Sequence, residues 1–312
     1  MNPTGRLPII TGEGGEAESW VAANRDALRS AVAEQGAIMV RGLGIADIAE
    51  AAAVSKLLAD RLLSEREGFA PRDRYDEGVY SSAMWPPEQP MCMHNEVSYA
   101  LEVPRLLIFS CLTAPVGGGA TAVSDTRAVL AALPQDLVER FARTGWLLTR
   151  SFNDLIGVPW SDAFGTADRQ EAQAYADRQR IELTWGDEGS LRTRQHRHAV
   201  VRHPESGERC WFNQIAFLNE WTMEPAVREY LVAEFGADGL PFNTFFGDGE
   251  PLDETIVTAI NDAYERHTVR EPWQAGDLML VDNVRMAHSR EPYEGDRDVV
   301  VAMADPVRLR GA

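Results

Sequence analysis

Two short strings in the chain carry side chains that could act together on a metal ion. The first runs Met-Cys-Met-His-Asn-Glu-Val-Ser-Tyr over residues 91–99 and reads as a strand in its first half. Residues two apart on a strand share a face, so His94 and Glu96 would present an imidazole and a carboxylate to one point. A lone His-x-Glu is a weak signal, since such a pair is more often a surface ion pair or a buried hydrogen bond. The second string, residues 276–290, places His288 after an apolar strand and before a turn. If residues 291–294 form the loop of a hairpin, Arg290 pairs with Gly295 and His288 sits across from Arg297. Two imidazoles and one carboxylate on one side of a metal leave three adjacent coordination positions open. An iron(II) oxygenase needs these positions, two for a chelating 2-oxo acid and one for dioxygen. A nearby arginine fork would clamp the distant carboxylate of that acid.

These side chains need rigid elements to hold them. The chain has 312 residues and is 45% hydrophobic, enough to bury a sizeable core; β-rich enzymes of this length often form one domain. Residues 1–312 are therefore read as one domain. The periodicity predicts helices at 20–34, stopped by Gly36, and at 47–63, with a short buried strand at 37–41 between them. Together they form an N-terminal cap over about 17–65. Residues 65–90 read as mostly irregular. Strand signals follow at 91–96, 106–112, 121–123 and 146–151, with helices at 126–132 and 136–144. A polar stretch at about 153–189, with a helix near 167–179, reads as an inserted lid. Strands at 194–201 and 208–215, helices at 224–235 and 254–266, and strands at 278–282, 286–290 and 298–304 complete the chain. Helices flanking many short, mostly antiparallel strands predict a mainly β fold, a double-sheet jelly roll (double-stranded β-helix, cupin-like). Disorder is expected only at the ends, chiefly around residues 11–16.

Composition removes several classes of function. A formal net charge of -18 argues against nucleic acid or an anionic membrane as a general partner. The basic group Arg192, Arg194, Arg197 and Arg202 reads as a solvated strand face or a local salt-bridge set. Lys56 is the only lysine, which leaves no phosphate-loop lysine, and arginine must supply any cationic work at the site. Cys92, Cys111 and Cys210 lack paired spacing, so reduced thiols are expected rather than disulfides or a structural zinc site. No apolar stretch approaches a membrane span and no secretory pattern opens the chain, so the protein is expected to be soluble and cytoplasmic.

The motifs resemble those of the taurine dioxygenase (TauD/TfdA-like) family, and the metal site resembles that of clavaminate synthase. The matching features are Arg41–Gly42, His94 with Glu96, the Ala-Pro-Val-Gly-Gly-Gly-Ala-Thr run ending at Thr121, the Trp-Phe-Asn-Gln run at 211–214, and His288 with Arg297. The resemblance implies iron(II) ligands at His94, Glu96 and His288, and contacts from Thr121 and Arg297 to 2-oxoglutarate, with dioxygen as the oxidant. Two departures narrow the reading. Many members carry Asp where this chain has Glu96, and the taurine-type enzymes carry a further arginine where it has Val301. The His-Asn-Glu-x-Ser-Tyr string is most similar to the SyrP-like subgroup, whose members hydroxylate amino acids, often tethered to a carrier protein. Retention of Glu96 also speaks against a halogenase.

The implied activity is hydroxylation of an unactivated C–H bond in an amino acid or amino-acid-derived substrate, free or carrier-tethered, in antibiotic-type secondary metabolism. Desaturation or cyclisation by the same cofactors is the alternative, and a metal-dependent hydrolase or a non-catalytic cupin-like binding protein is the alternative of another class. Asn95, Ser98, Tyr99, Asn213, Gln214 and Arg285 are the candidate substrate contacts, though the first five could equally satisfy local backbone groups and Arg285 could instead pair with a surface acid. His196 and His198 alternate on a strand without a carboxylate partner and read as surface or supporting residues. Cys92 reads as a small buried hydrophobe, and Gly117–Gly119 as a turn feeding the Thr121 strand.

Overall fold

Leu278–Asp282 and the middle of Val103–Thr113 and Asp298–Val307 are buried on both strand faces. Such strands must be covered on both sides. In the computed structural model, which describes residues 6–12, 15–153 and 157–312, they form the centre of a seven-stranded sheet. Its order is Ile9–Thr11, Ala37–Arg41, Leu278–Asp282, Val103–Thr113, Asp298–Val307, Val79–Ser81 and Arg74–Asp76. Only the Ile9–Thr11 edge pairs in parallel.

Alternation then sorts the side chains. Ile38, Val40, Ile108, Leu280 and Val300 pack outward with Val21, Leu28, Val54 and Leu58 of the helices Ala17–Gln35 and Ile48–Leu58. Met39, Leu107, Phe109, Met279 and Val301 point inward, into one core with Ala122, Val123 and Ala287. Those last three belong to a four-stranded sheet ordered Thr268–Val269, Thr121–Asp125, Met286–Arg290, Met91–His94. The two sheets make the expected jelly roll. At roughly 25 cal/mol per Å² of apolar surface removed from water, this shared core is the main favourable contribution to folding.

A third sheet, ordered Ile181–Trp185, Leu191–Arg197, Trp146–Phe152 and Phe242–Phe246, is not hydrogen-bonded to the roll's two but packs Trp146, Leu148 and Phe246 into their shared core. It has its own small core of Phe152, Phe164, Tyr175, Ile181 and Leu191. The polar stretch at 153–189, of which 154–156 lie outside the described residues, contributes the helices Trp160–Phe164 and Arg169–Gln179 to this unit. Of the arginines read as a solvated face, Arg192, Arg194 and Arg202 are exposed, but Arg197 is buried and donates to the carbonyls of Tyr99, His196 and Gln179.

Local propensity misjudges several boundaries for tertiary reasons. The helix expected at 47–63 stops at Leu58. Beyond it the chain bonds to the last long strand instead: Asp60 N–H donates to Asp305 Oδ1 (2.8 Å), Leu63 N–H to Met303 O (2.8 Å), and Arg61 O accepts from Asp305 N–H (2.8 Å). The stretch at 65–90 is not wholly irregular, because Arg74–Asp76 and Val79–Ser81 add a hairpin to the large sheet. At the start of the chain Thr11 lies in a strand, and residues 13 and 14 fall outside the described residues.

Gly118 sets a sharp local requirement. Its φ is 71°, and a Cβ there would lie 2.2 Å from the Pro292 carbonyl oxygen. Gly118→Ala is expected to cost about 3 kcal/mol, because left-handed strain and a backbone clash add. A urea midpoint that does not move would contradict this.

Candidate metal centre and active site

His94 and His288 are direct cross-strand partners, which brings their rings to 4.4 Å between centroids. Phe217 stacks on His94 at 4.7 Å, and Phe109 lies 5.5 Å from His288. Glu96 reaches the same point by a different route from that expected. The strand ends at His94, and residues 96–99 form a turn in which Val97 has a φ of 56°. Strand alternation therefore does not align His94 with Glu96. Asn283 does: its Oδ1 accepts from Glu96 N–H (2.8 Å), and its Nδ2 donates to Glu96 O (3.0 Å) and Pro104 O (2.8 Å). The Glu96 carboxylate folds back so that its Oε2 lies 3.4 Å from His288 Nε2 and 3.8 Å from His94 Nε2. One donor atom from each of the three residues lies within 4.8 Å of the others, and all three residues are buried.

These donors fit a divalent cation. The Nδ1 of His94 lies 2.8 Å from the Cys92 carbonyl oxygen, which can only accept. The ring proton is thereby held on Nδ1, leaving the Nε2 lone pair free toward the cluster. Burial, then the neighbouring His94, push His288 down to about 4, so its imidazole is neutral at physiological pH. Burial opposes charge on Glu96, but the Arg72 guanidinium and the two imidazoles outweigh it and hold the carboxyl well below its usual range. Arg72 donates to both Glu96 oxygens, at 3.2 and 3.4 Å. A neutral His288, a His94 whose Nε2 faces the cluster and an ionised carboxylate are a suitable set for iron(II), with neighbouring positions left open.

Asn283→Ala would orphan a buried N–H and two buried carbonyls. The expected result is a loss of about 3 kcal/mol of stability and, because the carboxylate is no longer aimed, about tenfold weaker iron binding. Denaturant unfolding and a metal competition titration would measure the two effects.

Arg297 and Thr121 come together, but not through a hairpin with His288. The strand bearing His288 pairs with Thr121–Asp125 and Met91–His94, whereas the strand that follows Arg297 belongs to the large sheet. Residues 293–294 pair instead with Gly117–Gly118. Arg297 therefore approaches from the facing sheet. Its guanidinium donates to Gly119 O (2.9 Å), Ser82 Oγ (3.2 Å) and Thr121 Oγ1 (3.2 Å). Burial pushes its pKa down to about 10, so it remains charged at neutral pH. Among the described residues it has no carboxylate within ion-pair distance. A half-buried guanidinium without a counter-ion among the described residues is a ready receptor for a carboxylate. A small cavity is lined jointly by Arg297, Thr121 and all three metal-candidate residues.

A larger cavity of about 520 Å³ opens on His94 and Glu96, with aromatic walls that include Phe69, Trp85, Phe217 and Phe242. Tyr99 and Gln214 line it, and among the described residues Gln214 Oε1 is buried there without a partner. The other expected substrate contacts lie elsewhere. Asn95 and Asn213 are fully buried and bind backbone, Asn95 Nδ2 donating to Asn283 O (2.7 Å) and Asn213 Nδ2 to Ala199 O (3.2 Å). Ser98 faces a separate cavity beside Arg197 and His198. Arg285 caps the first helix, donating to Ala33 O (3.1 Å) and Glu34 O (2.7 Å). His196 bonds the Thr144 carbonyl. Cys92 is half-buried in the cavity wall rather than withdrawn into the core. No described residue of 153–189 lines this cavity; its sides come from residues 65–99 and 214–242. Sequence reasoning missed Arg72, which sits in a stretch without periodicity, and Asn283, which directly follows a predicted strand.

A jelly roll that gathers two histidines and a carboxylate beside a half-buried arginine defines a dioxygenase dependent on iron(II), 2-oxoglutarate and dioxygen. The chain belongs to the taurine catabolism dioxygenase TauD, TfdA family, which matches residues 6–303. It is 32% identical over 276 residues to the dapdiamide synthesis protein DdaC of Enterobacter agglomerans, covering 88% of this chain and 84% of that one. It is 27% identical over 311 residues to a clavaminate synthase-like protein of Arabidopsis thaliana, covering 96% and 89%. Its fold is similar to PvcB of Pseudomonas aeruginosa (TM-score 0.56, 15% identity, 99% and 93% covered). A taurine dioxygenase of Burkholderia xenovorans is similar too (TM-score 0.54, 17% identity, 98% and 90% covered). Among the described residues, no helix is long and apolar enough to cross a membrane.

Proposed function

We infer that this dioxygenase hydroxylates an unactivated C–H bond of an amino acid or amino-acid-derived molecule. On this reading His94, Glu96 and His288 hold the iron, Thr121 and Arg297 hold 2-oxoglutarate, and the whole chain acts as one cytoplasmic catalytic unit. The observation that carries the assignment is the joint cavity, since the three metal-candidate residues and Arg297 with Thr121 line one space. The similarity to a dapdiamide synthesis protein supports a place in antibiotic-type secondary metabolism.

Bound iron and 2-oxoglutarate, with dioxygen, supply the oxidising power for C–H cleavage. The chain supplies geometry. Cys92 O fixes the His94 ring so that its Nε2 faces the metal position, and His288, kept neutral by burial, offers a lone pair without first losing a proton. Arg297 orients the co-substrate by its far carboxylate, as a planar fork can and an ammonium cannot. The aromatic cavity excludes water and holds the substrate carbon beside the centre, which is where a protein contributes most to cofactor chemistry.

The test is a panel of L-amino acids, each offered free and as a pantetheine thioester, with iron(II), 2-oxoglutarate and air. A product one oxygen atom heavier, formed with matching succinate, is the expected result. A product two hydrogens lighter would replace hydroxylation with desaturation.

A further inference from the structure

The large cavity holds a carboxylate that the metal chemistry does not use. Three acids line it: Glu65, Glu96 and Glu224. Glu96 faces the two histidines. Glu224 caps the helix Pro225–Phe235, accepting from Val227 N–H at 3.0 Å. Glu65 has neither commitment. Its side chain is only 12% exposed, and among the described residues its one ion pair is with Arg72 Nε at 3.6 Å, beyond hydrogen-bond reach. Arg72 gives its hydrogen bonds to Glu96 instead. Among the described residues no donor bonds the Glu65 carboxylate. Buried carboxylates normally accept several hydrogen bonds, so the shortfall marks a place for a ligand's donors.

Glu65 is also held in position. Its backbone N–H donates to Tyr80 Oη at 2.8 Å. Two residues on, Glu67 accepts from Tyr175 Oη (2.8 Å) and Gln195 Nε2 (3.1 Å), while Arg150 donates to the carbonyls of Glu67 (2.7 Å) and Gly68 (3.1 Å). The third sheet and its helix Arg169–Gln179 thus pin the segment that carries Glu65 into the cavity. The neighbouring walls are aromatic, offering π faces to a cation and an apolar bed to the body attached to it.

We propose that Glu65 anchors a primary ammonium group of the substrate, whose remaining body is apolar or aromatic and lies along Phe69, Phe217 and Phe242. The proposal deepens the reading of the site as an amino-acid oxygenase and rests on it. A free amino acid and an aminoacyl thioester both carry this group.

The experiment uses whole protein loaded anaerobically with iron(II) and 2-oxoglutarate, and titrates 2-phenylethylammonium against its uncharged counterpart 2-phenylethanol by calorimetry. The ammonium is expected to bind at least about tenfold more tightly, as a charge-assisted hydrogen bond to a buried carboxylate should. Glu65→Gln is expected to abolish that difference and Glu65→Asp to keep most of it. Equal affinities in the parent protein overturn the proposal whatever the variants do, and so does a preference that survives in Glu65→Gln. L-Phenylalanine and its pantetheine thioester, compared in the same way, separate the two sources: tighter binding of the thioester indicates a tethered substrate, tighter binding of the acid a free one. The visible charge-transfer absorption of each sample reports the loaded centre independently. Its presence without ammonium preference defeats only the role of Glu65; its absence defeats the metal-site reading beneath.

Discussion

Replacing His288 by alanine is expected to lower turnover by about a thousandfold or more while leaving the metal-free protein nearly as stable as its parent. The loss follows from chemistry: iron cannot be held in the open arrangement with one imidazole missing, and each factor of ten in rate is only about 1.4 kcal/mol of barrier. The unchanged stability follows from the packing. Among the described residues the Nδ1 of His288 is buried without a partner, and burial disfavours its protonated form, so the metal-free site gains little from this residue beyond its Nε2 contact with Glu96 at 3.4 Å. Its loss is expected to shift the metal-free unfolding free energy by less than about 1 kcal/mol, because the vacated space adjoins an existing cavity. Steady-state turnover and urea unfolding of the metal-free protein check the two halves. A variant that keeps a tenth of the parent's activity would remove His288 from the metal set.

Arg297→Lys is the second large effect. The expected outcome is a rise of about a hundredfold in KM for 2-oxoglutarate, with a far smaller change in iron affinity. Lysine keeps the charge but loses the planar fork, and truncating a buried, hydrogen-bonded charge pair costs about 2–5 kcal/mol. The same guanidinium tethers Gly119, Ser82 and Thr121, so some loss of local order would accompany any change there. Added guanidinium ion separates the two causes: rescue of KM identifies a missing receptor, whereas no rescue identifies a collapsed pocket. An unchanged KM would move the co-substrate carboxylate elsewhere, and Arg290, which lines the same space, would be the residue to examine next.

The metal-candidate residues were legible because their chemistry is concentrated in two short strings, and the central strands because burial on both faces leaves long apolar runs. The path by which Glu96 arrives was not. Period-two reasoning puts it on a strand, but the strand ends at His94 and a left-handed Val97 turns the chain back, a geometry fixed by Asn283 nearly two hundred residues later. The pairing of Arg297 was misjudged for a related reason. Proximity in sequence favoured a hairpin with His288, whereas the jelly roll sends the two strands to opposite sheets. Polar motif residues were the least readable. Asn95, Asn213 and Arg285 have the side chains of a binding site, yet each satisfies backbone groups whose need for a partner appears only in the fold. The real cavity walls, Phe69, Arg72 and Trp85 among them, come from a stretch with no periodicity at all.

The central claim is that His94, Glu96 and His288 hold iron(II) with 2-oxoglutarate beside Arg297. Its most direct test is optical and needs no substrate. Iron(II) and 2-oxoglutarate added anaerobically to the parent protein are expected to give a visible metal-to-ligand charge-transfer band that His288→Ala abolishes. Iron bound with no band in the parent, or a band that persists unchanged in the variant, would contradict the assignment.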